Sequence, residues 1–303
     1  GPDPLISLDR RTDRDCAVPR QGEPLAGSIR DETFRLNTLF GPVVLPAELV
    51  VGLEATDPGR SGVRVLTTDG QVVCGTLTDG RIRFELAGGE LVDLPIGGLR
   101  QCAFRISPQR PAHPAPQAPV ARVGDGRIAL RFDDDFRFVL DTPHGPVALE
   151  PALLARLDAL PDAPRRWEAR LRGGSVLTGT LAEPSIPATW LLGAADQRPV
   201  TLTAGHVRQF RWPVTLQTPA AAAVARMRDD QVLYGQIAQP SLTIKGGFGA
   251  EAIDVKDIVA AAFSPVDLGM TTLTLYGGRT KRGPMLGASI DFRLLPDGPT
   301  VPV

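Results

Sequence analysis

The sequence is poor in the residues that usually declare a chemistry. Its 303 residues include three cysteines, three histidines, three tryptophans and two tyrosines. Cys16, Cys74 and Cys102 are odd in number and far apart, which implies no disulfide framework and points to a reducing cytoplasm. His113, His144 and His206 have no second His or Cys nearby, whereas structural zinc takes close ligand pairs, so no metal is expected. No glycine-rich loop ends in G-K-[ST], and no cofactor is expected. An apolar run long enough for a membrane-spanning helix is missing. So is an excess of charge of one sign: 33 basic and 34 acidic side chains leave a net −1, which disfavours nucleic acid as the partner. Lysine is scarce too, with Lys245, Lys256 and Lys281 alone among the basic residues, an arginine bias that suggests a GC-rich bacterial source. The chain opens Gly1-Pro2, which reads as a cleavage scar and hides the native start.

Glycine and proline are abundant, at 32 and 29 residues. That many helix breakers exclude a helical bundle and imply short strands joined by tight turns. The apolar residues also recur at a fixed distance. Phe34, Leu36, Gly41, Pro42, Val43, Leu45 and Leu53 meet Phe138, Leu140, Gly145, Pro146, Val147, Leu149 and Leu157 at a spacing of 104 residues. The same spacing carries Gly70, Val72, Gly75 and Leu77 onto Gly174, Val176, Gly179 and Leu181. A more diverged third copy begins near residue 222, where Arg226, Arg228, Val232 and Gly235 follow Arg170, Arg172, Val176 and Gly179. Within each copy lies a smaller unit marked by two glycines five apart, as in Gly22/Gly27, Gly70/Gly75, Gly174/Gly179 and Gly278/Gly283. The first glycine suits a turn with positive φ, and the second a strand position where another backbone approaches closely. Around them Val63, Val65 and Thr67 alternate with Arg64, Leu66 and Thr68, the period of a half-buried strand.

These signals predict a mainly β chain of tandemly repeated small antiparallel sheet or barrel units, about five to six half-units in two and a half copies. Five prolines between residues 107 and 122 predict an extended linker. The expected organisation is a loose segment at 1–15, a β-repeat domain at 16–106, the linker at 107–122, a second domain at 123–214 and a partial third at 215–303. An apolar strand, a glycine turn and a G-x-L strand succeed one another in residues 63–77, and this run resembles a small SH3-like or Sm-like barrel unit. The resemblance implies a small β-barrel fold. The Asp–Asn pair of the Sm-like uridine-binding loop does not occur between Leu77 and Leu86, which sets RNA binding aside.

Catalytic patterns fare poorly. G-x-S-x-G is absent, Cys74 aligns with Thr178 and Tyr234, and Asp133-Asp134-Asp135 between Phe132 and Phe136 reads as a solvated turn. A basic and aromatic cluster is the stronger signal: Arg170, Arg172, Trp190, Arg208, Trp212, Arg226 and Arg228 fall in the second and third copies. Trp and Arg are common anchors of binding hot spots, although the same residues also serve as core and sheet cover. The expectation is a non-catalytic protein that binds an extended peptide or a protein at a strand edge, such as an accessory protein capturing a precursor peptide or a partner enzyme in a bacterial pathway. The alternatives are a structural or envelope-associated repeat protein, an Sm-like RNA binder and a cryptic enzyme.

Overall fold

A computed structural model describes the chain except residues 1–5, 58, 112–117, 164, 194–195, 215–222, 229–230, 248, 265–268 and 288. The described residues are mainly β, in short strands with antiparallel pairing and single-turn 3-10 helices, and they contain no α-helix. Among them no helix is long and apolar enough to cross a membrane. Packing divides the chain into two compact units: Gly1–Phe136 with Arg156–Arg166 and Glu183–Pro213, and Arg137–Ala155 with Trp167–Ala182 and Val214–Val303.

Residues 15–103 supply β1 (Asp15–Pro19), β2 (Leu25–Ile29), β3 (Thr33–Thr38), β4 (Gly41–Pro46) and β5 (Val50–Ala55), then β6 (Gly62–Thr67), β7 (Val72–Leu77), β8 (Arg81–Leu86), β9 (Leu91–Pro95) and β10 (Leu99–Ala103). Residues 120–211 supply β11 (Val120–Val123), β12 (Gly126–Arg131), β13 (Phe138–Thr142), β14 (Gly145–Leu149) and β15 (Leu154–Ala159), then β16 (Arg166–Leu171), β17 (Val176–Leu181), β18 (Ser185–Leu192), β19 (Asp196–Thr203) and β20 (Val207–Arg211). The rest supplies β21 (Ala223–Arg226), β22 (Val232–Ile237), β23 (Ser241–Gly246), β24 (Gly249–Asp254) and β25 (Ile258–Phe263), then β26 (Met270–Leu275), β27 (Thr280–Leu286), β28 (Asp291–Leu294) and β29 (Thr300–Pro302). A 3-10 turn precedes every fifth strand, at Ala47–Leu49, Ile96–Gly98, Pro151–Leu153, Ala204–His206 and Val255–Asp257.

In the first unit the pairing of residues 15–103 is exchanged between two runs of five strands. The hairpins β3–β4 and β8–β9 are local. The second strand of each run, however, pairs with the third strand of the other, giving β2–β8 and β7–β3. The last strands β5 and β10 pair with each other, and each also pairs with the first strand of the other run, β6 and β1. The sheet therefore runs β9-β8-β2-β1-β10-β5-β6-β7-β3-β4 and stays open, so neither run of five closes into a barrel by itself. Strands of the same rank pair in the same way further along: β11–β12, β12–β18, β18–β19, β20–β11 and β20–β15. Trp190, Phe84, Phe210, Leu53, Leu130 and Ile82 are fully buried in this unit. In the second unit β13 pairs with β14 and β17, and the chain after 222 pairs as β21–β22–β28–β29 and as β24–β23–β27–β26–β25.

The glycine pairs account for how tightly the strands cross at these pairings. Gly70 adopts φ +80° in the β6–β7 turn, a conformation costly for residues with a Cβ. Five residues later, a Cβ on Gly75 would lie 2.6 Å from the Asn37 carbonyl oxygen, because β7 crosses tightly against β3 there. Gly179 and Gly283 meet the Asp141 and Lys245 carbonyls in the same manner, at 2.8 and 2.1 Å. Gly27 and Gly235 take equivalent pairings, opposite Leu86 and Leu294. Arg131 stands where that glycine would be in β12, and there the pairing slips by one residue, to Arg131 opposite Thr189.

Two expected segments differ. Residues 6–14 are anchored: Ile6 is buried, and the Arg10 guanidinium donates to the carbonyls of Phe104, Arg105, Arg110 and Pro111. Only 1–5 of the segment expected to be loose lie outside the described residues. The stretch expected as a linker ends in β11, since Val120 and Ala121 are long enough into the apolar pattern to pair with β12 and β20; its residues 112–117 lie outside the described residues.

Candidate functional site

The seven residues expected to form a binding cluster are divided between the units and play different parts. Trp190, on β18 in the first unit, is fully buried. Its indole Nε1 donates to Gln71 Oε1 at 2.7 Å, and its ring meets Phe40 edge-on at 5.4 Å. Trp212 is buried as well, stacked near Phe132 at 6.2 Å. Both tryptophans are core residues, since an indole removes a large apolar area from water when its N–H finds a partner. Neither offers a face to a ligand, and this corrects their place in the expected site. Arg208 is exposed beside Asp125 at 3.5 Å. In the second unit, Arg170 pairs with Glu168 on its own strand and Arg172 donates to the Leu154 carbonyl. Arg226 and Arg228 are exposed on and just after β21.

Gln71 is the polar residue that the sequence hid. It directly precedes β7 and has no exposed surface. Its Oε1 accepts from Ala129 N and Trp190 Nε1, and its Nε2 donates to Asp69 Oδ2 and the Leu191 carbonyl. All of the amide's hydrogen-bonding capacity is used. The residues of the same rank in the second unit, Ser175 and Gln231, act alike: Ser175 Oγ accepts from Tyr234 N, and Gln231 Oε1 accepts from Thr178 N. These side chains sit beside the short pairings Val72–Arg127 and Val176–Val232.

The three cysteine thiols are shielded from ionisation by burial. Burial pushes the Cys74 thiol up to about 11 and raises those of Cys16 and Cys102, the opposite of what a thiolate nucleophile needs. Cys16 stands opposite Ala103 and Ala17 opposite Cys102, so the two cysteines of this strand pair point to opposite faces. Among the described residues no three His, Cys, Asp or Glu gather as a metal site. A hollow lined by Leu39, Phe40, Val72, Cys74 and Ile128 encloses about 30 Å³, room for a water rather than a substrate.

Two strands of the second unit are paired on one side alone among the described residues: β21 with β22, and β25 with β26. The strands of the same rank, β1 and β5, each have a neighbour on both sides, the shared one being β10. Val51 and Leu53 of β5 are 0% and 1% exposed, whereas Val259 and Phe263 of β25 are 56% and 49% exposed, and Val224 of β21 is 49% exposed. The run Ile258-Val259-Ala260-Ala261-Ala262-Phe263 thus has the composition of an interior strand and lies at a surface.

Comparison with known proteins supplies no family. No family model matches the chain, and no curated protein matches it by sequence. Among solved structures, the chain is matched to virginiamycin B lyase from Staphylococcus aureus at 12% identity, covering 80% of each chain with a TM-score of 0.10. A catalytically inactive form of that lyase with quinupristin is matched at 12% identity over 98% of this chain and 96% of the other, with a TM-score of 0.11. Likenesses at these scores carry no argument about fold or activity.

Proposed function

We propose that the chain is a non-catalytic β-repeat protein that binds an extended peptide or a protein segment by strand addition. In this reading residues 15–103, 120–211 and 223–303 are three copies of one ten-strand stretch, each made of two five-strand halves, and the third has nine described strands. The SH3-like or Sm-like likeness then applies to each run of five strands, with the pairing exchanged between halves. The observation that carries the reading is the pair of open edges on β21 and β25, lined by exposed Val224, Val259 and Phe263. Unpaired backbone groups beside apolar side chains are what an added strand uses, the backbone for affinity and alternate side chains for specificity. Arg226 and Arg228 border these edges and are the members of the expected cluster that this reading retains; Arg170, Arg172 and Arg208 act as sheet cover. A spacer role for stacked copies is the second reading, favoured by the Gln71, Ser175 and Gln231 bonds that recur where ten-strand stretches meet.

Selection of random peptides displayed against the immobilised chain, followed by hydrogen exchange, tests the proposal. Peptides of extended sequence are expected, with slowed exchange within residues 223–264. Selected peptides that slow exchange only in residues 15–213, or no selected peptides at all, would leave the spacer reading in its place.

A further inference from the structure

We infer that one sheet face of the first unit, on β12, β11, β20 and β15, is an anion site in which Arg122, Arg127 and Arg211 take a phosphate monoester. The site uses none of the residues of the proposed strand addition and does not depend on it. Arg127, Arg122, Gln209 and Asp158 stand in register across the four strands. Arg211 and Arg156 stand opposite each other on the same face, two residues along their strands. The face therefore gathers four arginines against one carboxylate.

That carboxylate is already taken. Asp158 pairs with Arg156 at 2.5 Å and accepts from Gln209 Nε2 at 2.6 Å, so both of its oxygens are used. Among the described residues Arg122 and Arg211 make no hydrogen bond or ion pair, and Arg127 donates to the Gly70 carbonyl alone. The Nε groups of Arg122 and Arg127 are buried and have no acceptor. Residues directly opposite on neighbouring strands stand about 4.5–5.5 Å apart at Cβ, so these two guanidinium groups repel each other. Burial, followed by the charges of Arg122 and Arg211, lowers the Arg127 pKa, and no acidic group opposes that shift.

Strand pairing does not ask for these charges. In the first stretch Val18 faces Gln101 as Arg122 faces Gln209, and Ala103 lies between Cys16 and Gly52 as Arg211 lies between Val120 and Arg156. Val18 and Ala103 are buried. The chain itself covers them: Leu8 lies 2.8 Å from where a Cβ on Gly52 would stand. Arg156 occupies the place of Gly52, and both it and Arg211 are exposed. Half-buried charge without a counter-charge is costly, and a bound anion removes that cost.

The arrangement also states which anion fits. Guanidinium groups grip oxyanions through paired N–H donors, and three of them suit a charge of −2 better than −1. A phosphate monoester carries about −1.5 to −2 at pH 7 and offers three acceptor oxygens. Val120 and Ala129 border the arginines on one side and Asp158 on the other, which leaves room for one such group rather than a long polyanion.

The test titrates the full chain calorimetrically with inorganic phosphate, glycerol phosphate and a short peptide centred on phosphoserine, with succinate as the dicarboxylate control. Saturable binding of the phosphate probes is expected, about tenfold tighter than succinate. It should strengthen from about pH 5.5 to 7.5, as the second phosphate proton leaves near pH 6. Arg122→Gln and Arg211→Gln should each weaken it about tenfold, whereas Arg170→Gln should leave it unchanged. Without phosphate, Arg122→Gln should raise the unfolding midpoint, a sign that an arginine serving only as structure would not give. Should Arg122→Gln fail to fold, Arg211→Gln at its exposed position carries the test. Tighter binding of the peptide than of glycerol phosphate would name a phosphorylated protein as the source, and equal binding a small phosphate ester; both support the site. Unchanged affinity in Arg211→Gln, succinate bound as tightly as phosphate, or no saturation by about 10 mM would overturn it. None of these outcomes bears on residues 223–264, so strand addition stands or falls separately.

Discussion

β5 and β25 are strands of the same rank with opposite surroundings, and the contrast separates what a sequence specifies from what its neighbours decide. Both follow a 3-10 turn, both are six residues long, and both pair with the next strand in the chain. β5 reads Val-Val-Gly-Leu-Glu-Ala and is almost wholly buried; β25 reads Ile-Val-Ala-Ala-Ala-Phe, is the more apolar of the two, and is largely exposed. Composition therefore does not explain the exposure. The difference is in the neighbours: β5 lies between β10 and β6, whereas among the described residues β25 pairs with β26 alone. Apolar surface left in water forgoes about 25 cal/mol per Å² of stabilisation, so a strand composed like β25 and left uncovered is an aggregation liability or a binding surface.

The contrast can be broken most forcefully by truncating equivalent walls. Leu53→Ala removes a fully buried side chain between β10 and β6, and it is expected to cost about 2–5 kcal/mol in urea unfolding. Val259→Ala, on the exposed strand, is expected to stay within about 0.5 kcal/mol. Comparable losses at both positions would mean that β25 is covered in solution, and the comparison would fail.

Gln71→Ala comes next. It leaves Ala129 N and the Trp190 indole N–H without an acceptor in a buried site, so a loss of about 2–4 kcal/mol is expected, at roughly 1–3 per stranded buried group. Ser175→Ala should cost less, about 1 kcal/mol, since its hydroxyl serves only the Tyr234 backbone. Calorimetry on both variants would rank the two joints, and equal losses would show that the Gln71 network carries no special weight.

Much of this architecture was legible in the sequence and some was not, for physical reasons. Period-two alternation located strands such as β6, and the glycines five apart marked both the turn and the close approach. The exchanged pairing was illegible, because β2 meets β8 and β7 meets β3 across tens of residues, and local periodicity does not encode a distant partner. Trp190 was misplaced on the same account: its acceptor, Gln71, lies 119 residues away. Without that partner in view, a tryptophan beside arginines looks like a surface anchor.

Cys74 sharpens the comparison between buried and open regions with a smaller effect. Its thiol pKa is raised to about 11 by burial, so the folded chain holds the proton that the unfolded chain releases near 9. A raised acid pKa means that stability declines as pH climbs through about 9 to 11, and that alkylation of the native chain is slow. At pH 8 the thiolate fraction is about a hundredfold below that of an ordinary thiol of pKa 9. Iodoacetamide labelling of native protein from pH 7.5 to 9.5, resolved by peptide mass spectrometry, should show Cys74 rising about tenfold per pH unit across that range. A plateau near pH 9 would place the thiol in water and contradict its packing beside Val72 and Ile128.

The smallest expected change belongs to the arginines. Arg170 is half exposed and bonded to Glu168 two residues away, an arrangement worth about 0–1 kcal/mol. Arg226 has no ion pair among the described residues and is exposed on β21. Arg170→Ala together with Arg226→Ala should therefore leave the unfolding midpoint nearly unchanged. Binding by strand addition divides the pair, because Arg226 lies on β21, which among the described residues pairs with β22 alone: Arg226→Ala should weaken an acidic peptide about threefold, and Arg170→Ala should have no effect on it. Equal weakening by both single variants would return the site to the broader arginine cluster expected from the sequence. Loss of folding in the double variant would instead make these side chains structural, since exposed arginines with so few bonds have no other route to a large effect.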